Sequence, residues 1–343
     1  GAILSSHSFR ASRTGTACFW RRRRRQSACV SLSSGFSSRT CLSNRHTIPI
    51  QARNKCTTGR IWTYVCDDRP FGGSAPPAAI YYASSDRRGE HPQKHLAGYG
   101  GILQSDCYNG FDLSAGRRML ACAERPIAVA ATKEIPITFA FCHAHARRKF
   151  FELADIQKNA RDRKRRGKPI SPIALEAVKR YDELFEIERQ INGLSAEERL
   201  AARQEKSKPL FDDMHEWLTK ERATLNRSSE VIEPIDYMLK RWEGVALFLE
   251  DGRVCLTNNA AERELRSVAL GRRNWTFAGS QRGADRAAVM LTVITTCRLN
   301  DVDPKAWLAD VLARIADYPV TRLHELLPWE WKRASPATVM LAA

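Results

Sequence analysis

Two acidic residues stand where a carboxylate could do chemistry. Glu262 lies in "LTNNAAERELRSVALGRRNW" (Leu256–Trp275), in the first turn of a helix opened by Thr257, Asn258 or Asn259. Asp106 ends the short apolar run of "GYGGILQSDCYNGF" and is followed by small and turn residues, so its carboxylate can face a cleft. Carboxylates of this kind suit phosphoryl transfer by two Mg²⁺ (or Mn²⁺) ions, because hard cations prefer oxygen ligands and must be held about 3.5–4 Å apart. The competing reading is local: Asn259 with Glu262 resembles a capping box, and aspartate before a turn is ordinary.

Possible phosphate contacts surround them in the sequence. "ARRKF" contributes Arg147, Arg148 and Lys149, "LGRRNW" contributes Arg272 and Arg273, and the glycine-flanked "AGSQRG" contributes Arg282. Arginine suits phosphate because its planar fork donates two parallel hydrogen bonds. Basic pairs of this kind are also common on solvated helix faces. "FCHAH" gives Cys142-x-x-His145, half of a zinc pattern, but no second half stands at a suitable spacing. His143 and His145 read as structural residues at a strand end or first helical turn.

These groups need elements to hold them. "RIWTYVCDD" alternates bulky and β-branched residues before "RPFGGSAPP", a strand and a loop; "AIYYASS" is another short strand. The run at Ile102 and Leu103 is a third, and "ITFAFCHAHARRKFFELADI" passes from strand into helix. From about Ile173 to Leu249 the pattern is helical and highly charged. Within it "LSAEERLAARQEK" opens with a capping box, Ser195 to Glu198. "PLFDDMHEWLTKERATL" predicts Leu210, Met214, Trp217 and Leu218 on one inward face, and "DPKAWLADVLARIADY" predicts Trp307, Leu308, Val311, Leu312 and Ile315 inward. Strands first and helices after predict an α/β or α+β core with a helical insertion.

Bulk properties limit the partners. The 343 residues carry a formal net charge of +17, pointing to an anionic partner. Twelve lysines and arginines and no acidic residue fall within residues 1–60, however, so the body is only mildly basic. No run of about 18 uncharged apolar residues exists, which argues against a membrane span. Ten irregularly spaced cysteines without a CxxC pair favour reduced thiols in the cytoplasm. Residues 1–45, rich in Ser and Arg with "RRRRR" at Arg21–Arg25, show no periodicity. They fit a disordered head, an organelle transit peptide, or sequence from a shifted reading frame. The last is favoured because the first methionine is Met119.

The segments "GRIWTYVCDDRPFGGSAPPAAIYYASSDRRGEHPQKHLAGYGGILQSDCYNGF", "FCHAHARRKFFELADI", "LTNNAAERELRSVALGRRNWTFAGS" and "LNDVDPKAWLADVLARIADYP…LHELLPWEW" closely resemble the insertion-sequence-66 family of bacterial transposases, over about residues 57–333. The resemblance implies a ribonuclease-H-like α/β core over residues 46–290, interrupted by an α-helical insertion at about 150–245. A helical C-terminal region follows over 291–343. It implies an Asp–Asp–Glu site binding two Mg²⁺ (or Mn²⁺) ions, DNA ends and target DNA as partners, and a homo-oligomer on DNA in the nucleoid. By motif, Asp106 resembles the second Asp and Glu262 the Glu, both metal ligands, so Glu262 would cap its helix and also hold metal.

One departure is marked. The family's first Asp lies on the strand before "TGRIW", and Asn44, Arg45 and His46 stand in the matching stretch. The expectation is a truncated transposase whose frame shifts upstream of about residue 57, catalytically inactive as written. The rival is an inert DNA-binding relative.

Overall fold

The computed structural model describes residues 41–52, 55–96, 99–106, 137–154, 170–271, 274 and 278–334, with 41–52 and 55–57 as backbone alone. The head before residue 41, Arg272 and Arg273, and the tail from residue 335 lie outside the described residues.

Five strands form one mixed sheet: β1 (Cys41–Ala52), β2 (Lys55–Cys66), β3 (Ala78–Ser84), β4 (Gly101–Ser105) and β5 (Ile137–Phe141). Their spatial order is β3-β2-β1-β4-β5. β1 and β2 pair antiparallel from Cys41↔Cys66 to Ala52↔Lys55, and β2 pairs antiparallel with β3. β4 joins β1 in parallel through Cys41↔Leu103 and Leu42↔Gln104, and β5 joins β4 in parallel.

The alternation of β2 sends successive side chains to opposite faces, and both faces are covered. Ile61 and Val65 pack with Ala79 and Tyr81 under α8 (Asn259–Gly271) and α9 (Gln281–Leu299), whose buried stripes are Ala261, Leu265, Val268 and Ala284, Ala288. Trp62, Tyr64 and Cys66 pack on the other face with Leu96, Leu103 and Ile137, near the short α1 (Glu90–His95).

β5 leads directly into α2 (His143–Ala154). The helical block follows: α3 (Pro172–Gln190), α4 (Ala196–Ala202), a π-turn over Arg203–Ser207, α5 (Lys208–Thr224), α6 (Ile232–Leu239) and α7 (Trp242–Ala246). It encloses its own core of Tyr181, Phe211, Met214, Ile235 and Phe248, which rests on Phe141, Ala146 and Phe150 of β5 and α2. The capping box forms in both halves, Ser195 N–H donating to Glu198 Oε2 at 2.9 Å and Glu198 N–H to Ser195 Oγ at 3.2 Å.

Two of the expected faces are corrected. Phe211, stacked on Trp242 with centroids 4.3 Å apart, takes the centre of the α5 seam. That turns the helix so that Met214 and Leu218 remain buried while Leu210 is exposed. In α10 (Pro304–Arg314), Trp307 and Val311 are buried but Leu312 is 57% exposed. The burial stripe there narrows around Trp307, whose indole N–H reaches Leu326 O. α11 (Pro328–Ala334) closes this C-terminal cluster with Trp331. Among the described residues no helix is long and apolar enough to cross a membrane.

Candidate active site

The C-terminal ends of β4 and β5 are tied together and to the irregular segment that feeds α8. Cys142 N–H donates to Ser105 O at 3.1 Å, prolonging the β4–β5 ladder by one step. His143 N–H donates to Leu256 O at 2.8 Å, and the Gln104 side-chain amide donates to Cys255 O. Burial pushes the Cys142 thiol up, while backbone N–H groups of Asn258, His145 and Ala144 at the sulfur oppose that rise. Cys142 therefore helps dock the start of α8 on the end of β5. The sheet end and the helix start are one unit built from backbone hydrogen bonds.

Asp106 follows β4 and is half-buried at this end. Continuing the parallel register two residues past Leu42↔Gln104 places Asn44 of β1 level with Asp106. No acidic residue precedes Asp67, and Asp67 is already engaged: Arg69 binds it at 2.7 and 2.8 Å and holds its carboxyl low despite burial.

Glu262 does not complete a capping box. The first α8 bond runs from Glu262 N–H to Asn258 O at 3.3 Å, so Asn258 precedes the helix and Glu262 lies one residue beyond the position a capping-box carboxylate takes. Its side chain instead faces α2, with Oε1 3.3 Å from His145 Nε2. His143 is the structural histidine of the pair: it is buried, and its Nε2 lies 2.8 Å from Val245 O. His145 instead reaches Glu262, a contact the sequence reading did not anticipate. The signal was there, since residues two apart on a helix point to different sides, so His143 and His145 could not share one role.

The basic candidates divide. Arg147 is engaged by Asp182 at 2.8 Å and Lys149 by Glu233 at 2.8 Å, which fasten α2 to α3 and α6. Arg148 and Arg282 are exposed, the latter beside Ser280, whose hydroxyl caps α9 by accepting Gly283 N–H at 3.1 Å. Arg272 and Arg273 lie outside the described residues.

Among the described residues only Asp86, Glu90 and His91 bring three potential ligand atoms within 4.8 Å of one another. Cys142 and His145 are not part of a zinc-type cluster, and Asp106, His145 and Glu262 are spread more widely than that.

The sequence matches the family model described as "Transposase IS66 family" over residues 45–286 and that described as "IS66 C-terminal element" over 292–329. The match opens at residue 45, which corrects the onset read at about residue 57. It is 91% identical over 297 residues to the uncharacterized protein y4hP of Sinorhizobium fredii (strain NBRC 101917 / NGR234), covering 87% of this chain and 51% of that protein. It is 36% identical over 282 residues to y4jD of the same strain, covering 82% of this chain and 51% of that protein. The chain thus spans about half the length of these curated relatives. With the two matches together running through the strands, the helical block and the C-terminal helices, the chain belongs to the IS66 family of transposases.

Proposed function

We propose that this chain is the ribonuclease-H-like core of a transposase of the Asp–Asp–Glu type, acting on DNA, in which the phosphoryl-transfer site is incomplete. The strand order with its single antiparallel hairpin side and parallel β1-β4-β5 side supports the ribonuclease-H-like reading. Asp106 and Glu262 take the second and third acidic positions. The observation that carries the proposal is the β1–β4 register at Cys41 and Leu42, whose continuation puts Asn44 level with Asp106.

The donor set does not fit two divalent ions. A neutral amide replaces one of three carboxylates, and the ligand atoms of Asp106, His145 and Glu262 are not gathered around one point. Two cations held close together need that negative charge to offset their repulsion, and phosphate chemistry depends on such preorganised charge. The chain as written therefore holds DNA without cutting it, and no bond-breaking step is assigned to it.

The test compares the chain with Asn44→Asp for Mn²⁺ binding by calorimetry and for nicking of element-end DNA. The expected result is weak binding and no nicking for the chain, with tighter Mn²⁺ binding in the variant. Nicking by the unaltered chain, or Mn²⁺ affinity indifferent to Asn44→Asp, would overturn the proposal.

A further inference from the structure

α8 and α9 cover the same face of the sheet, α8 over β1 and β2 and α9 over β3. Tyr81 joins them, its hydroxyl donating to Glu264 O at 2.9 Å and lying 3.2 Å from Thr295 Oγ1. With Ala261, Leu265 and Val268 turned to the sheet, the helical period turns Arg263 and Arg266 away from it; with Ala284 and Ala288 inward, Arg282 and Arg286 are likewise outward. All four are exposed. None has an ion pair or hydrogen bond among the described residues, although Arg263 lies near enough to Asp67 and Glu264 to favour their charged forms.

The nearest acidic groups on these helices are otherwise placed. Glu264 is half-buried among Arg263, Arg298 and Arg69, and burial raises its carboxyl against their pull. Asp285 accepts a 2.8 Å bond from the Gln281 amide. The helical block behaves differently: Arg180 binds Glu176 and Asp213, Arg222 binds Asp236, and Lys208 binds Asp212.

Direction matters as well. Thr296 bonds Ala79 and Thr292 bonds Tyr81, so α9 runs antiparallel to β3. Two successive antiparallel pairings make β3 parallel to β1. The first turns of α9 therefore lie toward the C-terminal end of the parallel strands, the end that carries Asp106 and Glu262. Farther along, exposed Leu270 and Met290 stand on the outer faces, and exposed Arg298 lies near the end of α9.

We infer that Arg263 and Arg266, beside Glu262, and Arg282 and Arg286, farther along the same outer face, form a ridge that seats the phosphate backbone of duplex DNA. The inference rests on the DNA reading above and names the surface that reading leaves open. Unpaired guanidiniums repel one another in the free protein and gain when phosphates enter between them. Contacts of this kind set position and register without reading bases.

The test uses the full chain and a generic fluorescent duplex, with affinity followed across salt concentration. Each phosphate contact adds about 0.9 to the slope of log K against log salt. The variant R263Q/R266Q/R282Q/R286Q should bind more weakly and lose about 3.6 units of slope, with each helix's pair of substitutions taking about half. Lys179→Gln with Lys206→Gln, on the helical block, should leave the slope unchanged. Binding by the four-site variant with an undiminished slope would overturn the ridge while leaving the transposase reading standing, because DNA would then sit elsewhere. A chain that binds no duplex at any salt would overturn the ridge and the DNA-holding reading together. The Mn²⁺ comparison at Asn44 is independent of both. Thermal melting shows that the variants are folded, and a four-site variant that fails to fold is replaced by the two pairs.

Discussion

Arg203 and Glu188 form a buried ion pair, with Nε 2.6 Å from Oε1 and the second nitrogen 2.8 Å from Oε2, and the same arginine donates to the carbonyls of Phe248, Asp251 and Val254. Arg199 adds a 3.1 Å bond to Glu188 and a 3.0 Å bond to Pro70 O. One glutamate thus neutralises two buried guanidiniums, one of which grips the segment leading into α8 and the other the loop after β2. Glu188→Gln keeps the shape and removes the charge. Breaking a buried pair on one side costs about 3–5 kcal/mol, and urea denaturation should show a loss of that order. A loss within the scatter of exposed-site variants would mean that solvent reaches this network.

His145 and Glu262 meet from α2 and α8, both partly exposed. The pair should therefore couple modestly. A double-mutant cycle with His145→Ala and Glu262→Gln is expected to give about 0.5–1 kcal/mol, and His145→Gln, which keeps a donor, should recover part of it. Zero coupling in the cycle would show that the contact does not persist in solution.

Much of this arrangement was legible in the sequence for a physical reason. Alternation in "RIWTYVCDD", the strand-to-helix passage at Phe141–His143 and the Ser195–Glu198 box depend on neighbours in the chain. β1 was not legible from its own residues, because "CLSNRHTIPIQA" carries no clean alternation and includes Pro49; its strand follows from twelve-residue pairing with β2. The tilt of α5 depends on Trp242 meeting Phe211. The approach of His145 to Glu262 depends on β5 lying beside β4, a relation between segments far apart in the chain. Local spacing suggested Glu262 as a cap, and only the position of Asn258 decides that it is not.

Two histidines should make the fold sensitive to mild acid. Burial drives His143 down to about 4 and His95, stacked on Tyr82, down to about 3, from an ordinary value of 6.5. The unfolded chain then binds more protons than the folded one below pH 6.5. Their contribution is complete above that pH and is lost progressively as pH falls toward 4 for His143 and 3 for His95. Each costs up to about 1.4 kcal/mol per pH unit within its window. The lowered carboxylates Asp67, Asp236 and Asp251 lose their contribution only below the ordinary aspartate value of 3.8, so the upper part of the window belongs to histidine. Denaturation midpoints of His95→Phe should fall less steeply than those of the parent between pH 7 and about 4.5. Equal slopes would mean that His95 is hydrated in the folded chain.

Gly252 is the residue that lets the turn before α8 lie against the helical block. A Cβ there would run into the backbone of Ala196, at its carbonyl oxygen, carbonyl carbon and Cα. Ala196 opens α4 and cannot swing aside as a side chain would, because the Ser195–Glu198 box fixes that end. The same turn presents Asp251 O and the neighbouring Val254 O to Arg203. Gly252→Ala must therefore push the turn away and loosen those bonds, at a cost of about 2–3 kcal/mol for overpacking and lost hydrogen bonds. Gly193→Ala is the control, because its positive φ of 89° is strained for alanine while nothing lies within 4 Å of the added carbon. That strain should cost about 1 kcal/mol. Denaturation of the two variants should place Gly252→Ala well below Gly193→Ala; the opposite order would mean that the turn and α4 do not touch.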